Sequence, residues 1–153
     1  MKIKALSLKE ESFNNNKLNQ SISQLQELIR LLNQREIPTE VVTKINAEID
    51  EINVSNGDEG SLLKLIKQKQ SNIIKILEKD LKIVPLHYYR NFWMLIGMSA
   101  FGLPLGLTFS LILDNIGLLA IGLPIGLAIG IAYGSQLDKT AKEEGRQLDI
   151  ELK

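Results

Sequence analysis

The chain has no cysteine and a single histidine, His87, among its 153 residues. The first absence excludes disulfides, thiolate catalysis and cysteine-held metals. The second leaves almost no route to a histidine metal site or a Ser-His-Asp device. Charge is missing more selectively. Formal net charge is zero, yet no Lys, Arg, Asp or Glu occurs in residues 92–113 or 116–136. Residues 1–91 are instead polar and rich in Lys, Glu, Asn and Gln. Two chemically different materials meet near residue 90. The first sixteen residues, MKIKALSLKEESFNNN, lack the apolar core of a signal peptide, and neither end has a lipid-attachment motif. Membrane entry is therefore expected to use the later segments.

The first uncharged window, FWMLIGMSAFGLPLGLTFSLIL, would rise ~33 Å as a helix; the second, IGLLAIGLPIGLAIGIAY (116–133), would rise ~27 Å, against a hydrocarbon core of ~30 Å. A soluble core helix of such length normally keeps a polar face, and neither window has one. A soluble protein of this size would have too little other material to cover both. Asp114 and Asn115 separate the windows with turn chemistry, which predicts a transmembrane hairpin. Lys79, Lys82 and Arg90 precede the first span and Lys139, Lys142 and Arg146 follow the second. The positive-inside rule then places both termini in the cytoplasm. His87, Tyr88, Tyr89, Arg90 and Trp93, with Phe92, are expected to anchor the inner interface, and Tyr133 suits the same role on the second span.

The spans share an internal repeat. AFGLPLGLTF at 100–109 matches AIGLPIGLAI at 120–129, with six of ten positions identical. Folding the chain at 114–115 sets Pro104 level with Ile125 and Gly102 level with Leu127. Pro104 and Pro124 each remove a helix hydrogen bond and are expected to kink the spans at one depth. Gly122, Gly126, Gly130 and Gly134 form a row at every fourth position, with a shorter counterpart in Gly102, Gly106 and Ser110. Such small-residue rows allow close backbone approach, at crossings of about −40°. Two glycine faces would seal one hairpin and leave the long row partly free for a neighbouring copy or a larger partner.

In the polar part, Leu18, Ile22, Leu25, Ile29 and Leu32 form a helical seam, as do Val42, Ile45, Ile49 and Ile52. Leu62, Leu63, Leu65, Ile66, Ile73, Ile74, Ile76, Leu77 and Leu81 give a broader face. Pro38 ends one helix and suits the first turn of the next. Ser61 is a candidate cap for the third helix, and Val84-Pro85 ends it. Short loops favour an antiparallel three-helix bundle; a dimeric coiled coil is the alternative. The lysines Lys64, Lys67, Lys69, Lys75, Lys79 and Lys82 read as a solvated face. Fourteen Lys and Arg against twelve Asp and Glu in residues 1–91 make no field strong enough for nucleic acid. Residues 2–8 could pair as a strand with 148–152; a frayed arm and tail is the alternative. Asp138–Lys142 and Lys139–Glu143 are four-apart pairs that would extend the second span.

The stretches YYRNFWMLIGMSAFGLPLGL and IGLPIGLAIGIAYGSQLDKTAKEEGRQLDIELK resemble a group of small, uncharacterised two-span membrane proteins with glycine-zipper-like helices, from bacteria of the Bacteroidetes type. The resemblance is strongest over 88–153. It implies a bacterial inner-membrane setting and transfers no functional residue.

The expected organisation is all-α: an arm (1–16), a cytosolic helical bundle (17–84), an interfacial linker (85–91), a transmembrane hairpin (92–136, with spans 92–113 and 116–133) and a cytosolic tail (137–153). The expected function is that of a membrane scaffold or accessory subunit, joined to copies of itself or to a larger complex through its glycine-rich helices. A pore-forming oligomer is the alternative, although a lumen wants polar lining. No catalytic, cofactor-binding or metal-ligating residue stands out, and neither a nucleic-acid partner nor a small-molecule substrate is expected.

Overall fold

The computed structural model describes residues 2–8 and 13–152. Met1, 9–12 and Lys153, parts of the expected arm and tail, lie outside the described residues. The chain divides into two compact units, residues 1–84 with 148–153, and residues 85–147. Among the described residues the regular secondary structure is helical apart from one two-residue ladder.

The first unit holds α1 (Asn16–Leu32), α2 (Thr39–Asn53) and α3 (Glu59–Leu81). Asn15 starts α1 by accepting the amides of Lys17 and Leu18, donors that the helix itself cannot satisfy. Both expected seams of α1 and α2 are buried throughout, with Leu18, Ile22, Leu25, Ile45, Ile49 and Ile52 fully enclosed. Helix α3 packs on α1 and on α2, through Leu62, Ile66, Ile73, Ile74 and Leu77. Its cap is Asp58, not Ser61: the Asp58 carboxylate accepts the amides of Gly60 and Ser61 and the Ser61 hydroxyl. An acid beside three donors at the positive end of a helix outcompetes a serine hydroxyl there. Lys69 also departs from the solvated face. It is 7% exposed, and its ammonium pairs with Glu48, at 3.2 Å, and Glu51 of α2. These carboxylates, Glu51 foremost, raise the Lys69 pKa above its ordinary value against the cost of burial.

The amino-terminal segment is neither a strand partner for the tail nor frayed. Ile3 and Leu6 are buried, and carboxamide side chains hold the extended backbone between them. Asn33 accepts the Ile3 amide at 2.9 Å and donates to the Ile3 carbonyl. Asn46 accepts from Lys4 at 2.8 Å and donates to the Lys2 carbonyl. Asn53 does the same for Ser7 and Ala5. A carboxamide carries the donor and acceptor of a peptide unit, so the asparagines stand in for a neighbouring strand. Asn46 and Asn53 are seven apart on α2 and share a face. The carboxy-terminal strand pairs elsewhere: β2 (Gln147–Leu148) bonds to β1 (Val84–Pro85). Val84 and Leu148 are both buried.

The second unit is a helical hairpin. Its first arm runs through α4 (Tyr88–Ile96), a π-helical turn (Gly97–Gly102) and α5 (Leu103–Ile112); its second has a 3₁₀ turn (Ile116–Leu118) and α6 (Leu119–Glu143). The helical stretches Tyr88–Ile112 and Ile116–Glu143 are each long and apolar enough to cross a membrane, and 17% of the most apolar part of each is buried. The first begins ahead of the window 92–113 and stops at Ile112, and the second runs past the window 116–133 to Glu143, because the uncharged core continues into polar helix at that end of the hairpin. The segment 137–143 belongs to α6, and residues 148–152 to the first unit, so 137–153 is not a separate tail.

Candidate functional site

The hairpin is built around its glycines. A Cβ placed on Gly122 would lie 2.6 Å from Gly106 Cα, and one on Gly126 2.7 Å from Gly102 Cα. On Gly130 it would meet the Trp93 carbonyl group, with its carbon at 2.8 Å, and on Gly134 it would be 2.6 Å from Arg90 Cα. Real Cβ atoms do not approach backbone this closely, so each position admits only hydrogen. The opposing row obeys the same rule: a Cβ on Gly97 would sit 2.9 Å from Gly130 Cα, and Gly106 faces the Leu119 backbone. The glycines interdigitate. Gly126 lies between Gly97 and Gly102, and Gly122 between Gly102 and Gly106. Carbonyl oxygens of Tyr89, Trp93, Gly97 and Gly102 recur where α6 side chains would begin, the geometry of Cα–H···O contacts worth ~0.5–1 kcal/mol each.

Three expectations are corrected here. The long row is not left partly free: all four of its glycines are buried against the first arm of the same chain. The first-arm row is Gly97, Gly102 and Gly106, all buried, whereas Ser110 is half-buried and its carbonyl accepts the Asn115 amide at the tip. Gly97 escapes a four-residue pattern because it precedes Gly102 by five. In an α-helix that spacing would rotate Gly97 ~140° out of line. The π-helical turn takes in one more residue before closing, with the Leu103 amide bonded to the Met98 carbonyl, and so returns Gly97 to the face. Pro104 follows directly, and its missing N–H and its ring disfavour the ordinary ladder at that place. A glycine five before a glycine, with proline two beyond, was the available signal. Pro124 lies within continuous α6.

The register is the third correction. Gly102 sits between Gly122 and Gly126 rather than level with Leu127, a slip of about three residues. The tip explains it. Asp114 is left-handed (φ 47°), and the Asn115 amide reaches back to Ser110, so 113–114 curl over the first arm in a Schellman closure. Asn115 is then extended and caps Gly117, and the 3₁₀ turn climbs ~2 Å per residue. The second arm gains height with fewer residues.

At the other end of the hairpin the glycine row runs into a charge. Asp138, four beyond Gly134, is 7% exposed. Its two carboxylate oxygens accept the amides of Tyr89, at 3.0 Å, and Arg90, at 2.9 Å. These are first-turn donors of α4, whose own cap residue, His87, is left-handed (φ 60°) and makes no capping bond. Asp138 thus caps the first arm from the second, and the expected Asp138–Lys142 pair is absent among the described residues. Lys139 and Glu143 stand 3.9 Å apart. His87 and Arg90 line a cleft of about 320 Å³ with Leu86, Ser135, Asp138, Lys139, Lys142 and Gln147. Tyr88 and Tyr89 meet edge to face, and Trp93 packs edge to face on Tyr133 with ring centres 4.5 Å apart.

Among the described residues, no three His, Asp or Glu side chains gather as a metal site. The Ser99 and Thr108 hydroxyls bond carbonyls of their own helix. What this unit offers chemically is a backbone-sealed rod pair with an apolar exterior and a basic cleft at one end. No protein-family model, no curated protein and no solved structure matches the chain.

Proposed function

We propose that the protein is a small integral membrane protein acting as a scaffold or accessory subunit. The observation that carries this reading is the uncovered apolar belt of the hairpin. Among the described residues, every exposed large hydrophobic side chain except Val54 lies between Phe92 and Tyr133. A patch of that size on a water-soluble surface would drive aggregation; in lipid it needs no cover. The bacterial resemblance and the basic flanks support an inner-membrane setting with residues 1–84 and both termini in the cytoplasm. With the glycines engaged inside the chain, association with copies or with a larger membrane partner uses the outward Leu, Ile and Phe surface. The pore alternative draws no support from Ser99 and Thr108, whose hydroxyls are turned to their own backbone.

The test is alkaline extraction of membranes, followed by mild-detergent isolation and intact-mass measurement. The chain should stay with the bilayer and come out with further copies or a reproducible larger partner. Release into the aqueous wash would end the membrane reading. A strictly monomeric chain without partners would end the scaffold reading, and dye release from vesicles carrying the purified chain would favour a pore.

A further inference from the structure

The cleft beside Asp138 has a charge pattern that the scaffold reading does not use. Arg90, Lys139 and Lys142 line it together with His87, Ser135 and Gln147. Its one acid, Asp138, has both oxygens occupied by backbone amides, so it makes no ion pair with these cations and offsets only one of their three charges. Among the described residues, neither Arg90 nor Lys142 has a carboxylate within ion-pair distance. Lys139 reaches Glu143 only at 3.9 Å with both side chains two-thirds exposed, a geometry of little worth. Three cations and one acid therefore meet at one opening, which keeps a net positive charge. The opening, about 320 Å³, has room for ~10 waters at ~30 Å³ each, and hence for a hydrated phosphate group. Its position is equally specific. Arg90 lies just before the uncharged part of the first arm, and Lys139 and Lys142 lie just after that of the second. In a bilayer this is headgroup depth, where basic recesses between helices hold anionic lipid.

We infer that Arg90, Lys139 and Lys142 form a binding site for the phosphate of an anionic phospholipid headgroup. Arg90 supplies a planar fork for phosphate oxygens. The two lysines supply mobile point charges, and Ser135 can donate a further hydrogen bond. The Asp138 cap holds Arg90 at the rim by fixing the first turn of α4. The inference rests on the membrane reading.

The test uses the full chain reconstituted in nanodiscs of mixed phosphatidylglycerol and phosphatidylcholine, then native mass spectrometry of the lipid that stays bound. Phosphatidylglycerol should be retained over phosphatidylcholine by roughly tenfold or more, given three basic groups at one headgroup. The triple variant Arg90→Gln/Lys139→Gln/Lys142→Gln should lose that preference while keeping its helical circular dichroism. Lys64→Gln/Lys67→Gln/Lys75→Gln, on exposed positions of α3, should keep it. Equal retention of both lipids, or an unchanged preference in the cleft variant, overturns the site. Displacement of the lipid by millimolar inorganic phosphate assigns the cleft to a soluble anion and overturns the lipid. Failure of the wild-type chain to enter nanodiscs at all overturns the membrane reading, and the site falls with it.

Discussion

At the scale of single residues, the contact between the two arms tolerates no side chain at Gly130. A methyl there meets the Trp93 carbonyl, backbone that neither helix can turn aside. Gly130→Ala should destabilise the hairpin by about 1–3 kcal/mol, the range for overpacking a close contact. Ala132→Leu, on the exposed side of α6, should cost little. Thermal unfolding in detergent compares the two, and equal melting temperatures would refute the backbone contact. Asp138→Ala strips two amide donors of α4 of their acceptor and should cost about 1–3 kcal/mol. Asp138→Asn keeps one acceptor oxygen and should fall between that variant and wild type. Faster hydrogen exchange at Tyr89 and Arg90 is the specific readout; unchanged exchange there removes the capping role. Asp58 makes the pH prediction. The Ser61 hydroxyl first, then the amides of Ser61 and Gly60, hold its carboxyl below the ordinary value of 3.8. Its stabilisation of α3 is therefore complete above that value and lost as pH falls through the depressed one. Asp58→Asn keeps an acceptor without the titration, so its first turn of α3, followed by amide chemical shifts, should lack this acid step.

At the scale of elements, the π-helical turn and the asparagine-held arm show how local geometry overrides periodicity. Gly97, Gly102 and Gly106 are spaced five and four, and only an extra residue in the turn brings them onto one face. Deleting Ser99 makes the spacing four and four, which an ordinary α-helix aligns. That deletion should leave the hairpin nearly as stable as wild type. Deleting Ala128 from α6 breaks the row between Gly126 and Gly130 and should abolish a cooperative melt. If the two deletions behave alike, the turn does not set the register. The seams of α1 and α2 were readable because burial on a helix must recur at about 3.6 residues. The arm was not: in the sequence Asn33, Asn46 and Asn53 cannot be told from ordinary surface asparagines. Their common task becomes visible only once α1 and α2 bring them along one extended segment.

At the scale of the molecule, two units with different surface chemistry are joined by two chain crossings. The first has a conventional apolar core, and the second exposes its apolar residues and buries the glycines where its two arms meet. Urea acts on surface newly exposed to water. In detergent, unfolding should therefore proceed in two transitions, an early one from residues 1–84 and a later one from the hairpin. Tyr133 and Trp93 fluorescence reports the second, and a single coincident transition by fluorescence and circular dichroism would contradict this division. A folded first unit also accounts for Lys69. In the sequence Lys69 reads as one more lysine of the solvated face, because a sequence does not show which carboxylates a neighbouring helix will present.

The uncharged windows, the flanking cations, the helical seams and the four-residue glycine row were all legible from the residues alone. Each is a one-dimensional pattern that a helix converts directly into a face or a length. Pairing across the hairpin was different. The slip that seats Gly102 between Gly122 and Gly126 arises from a left-handed Asp114 and a 3₁₀ turn at the tip. The use of Gly97 arises from one extra residue in a turn, and the cap on α4 comes from Asp138, about fifty residues away in the chain. Such features depend on where two backbones meet in space, and shifts of an ångström or two decide them. Tertiary contact alone selects among registers that the residue pattern leaves nearly equal.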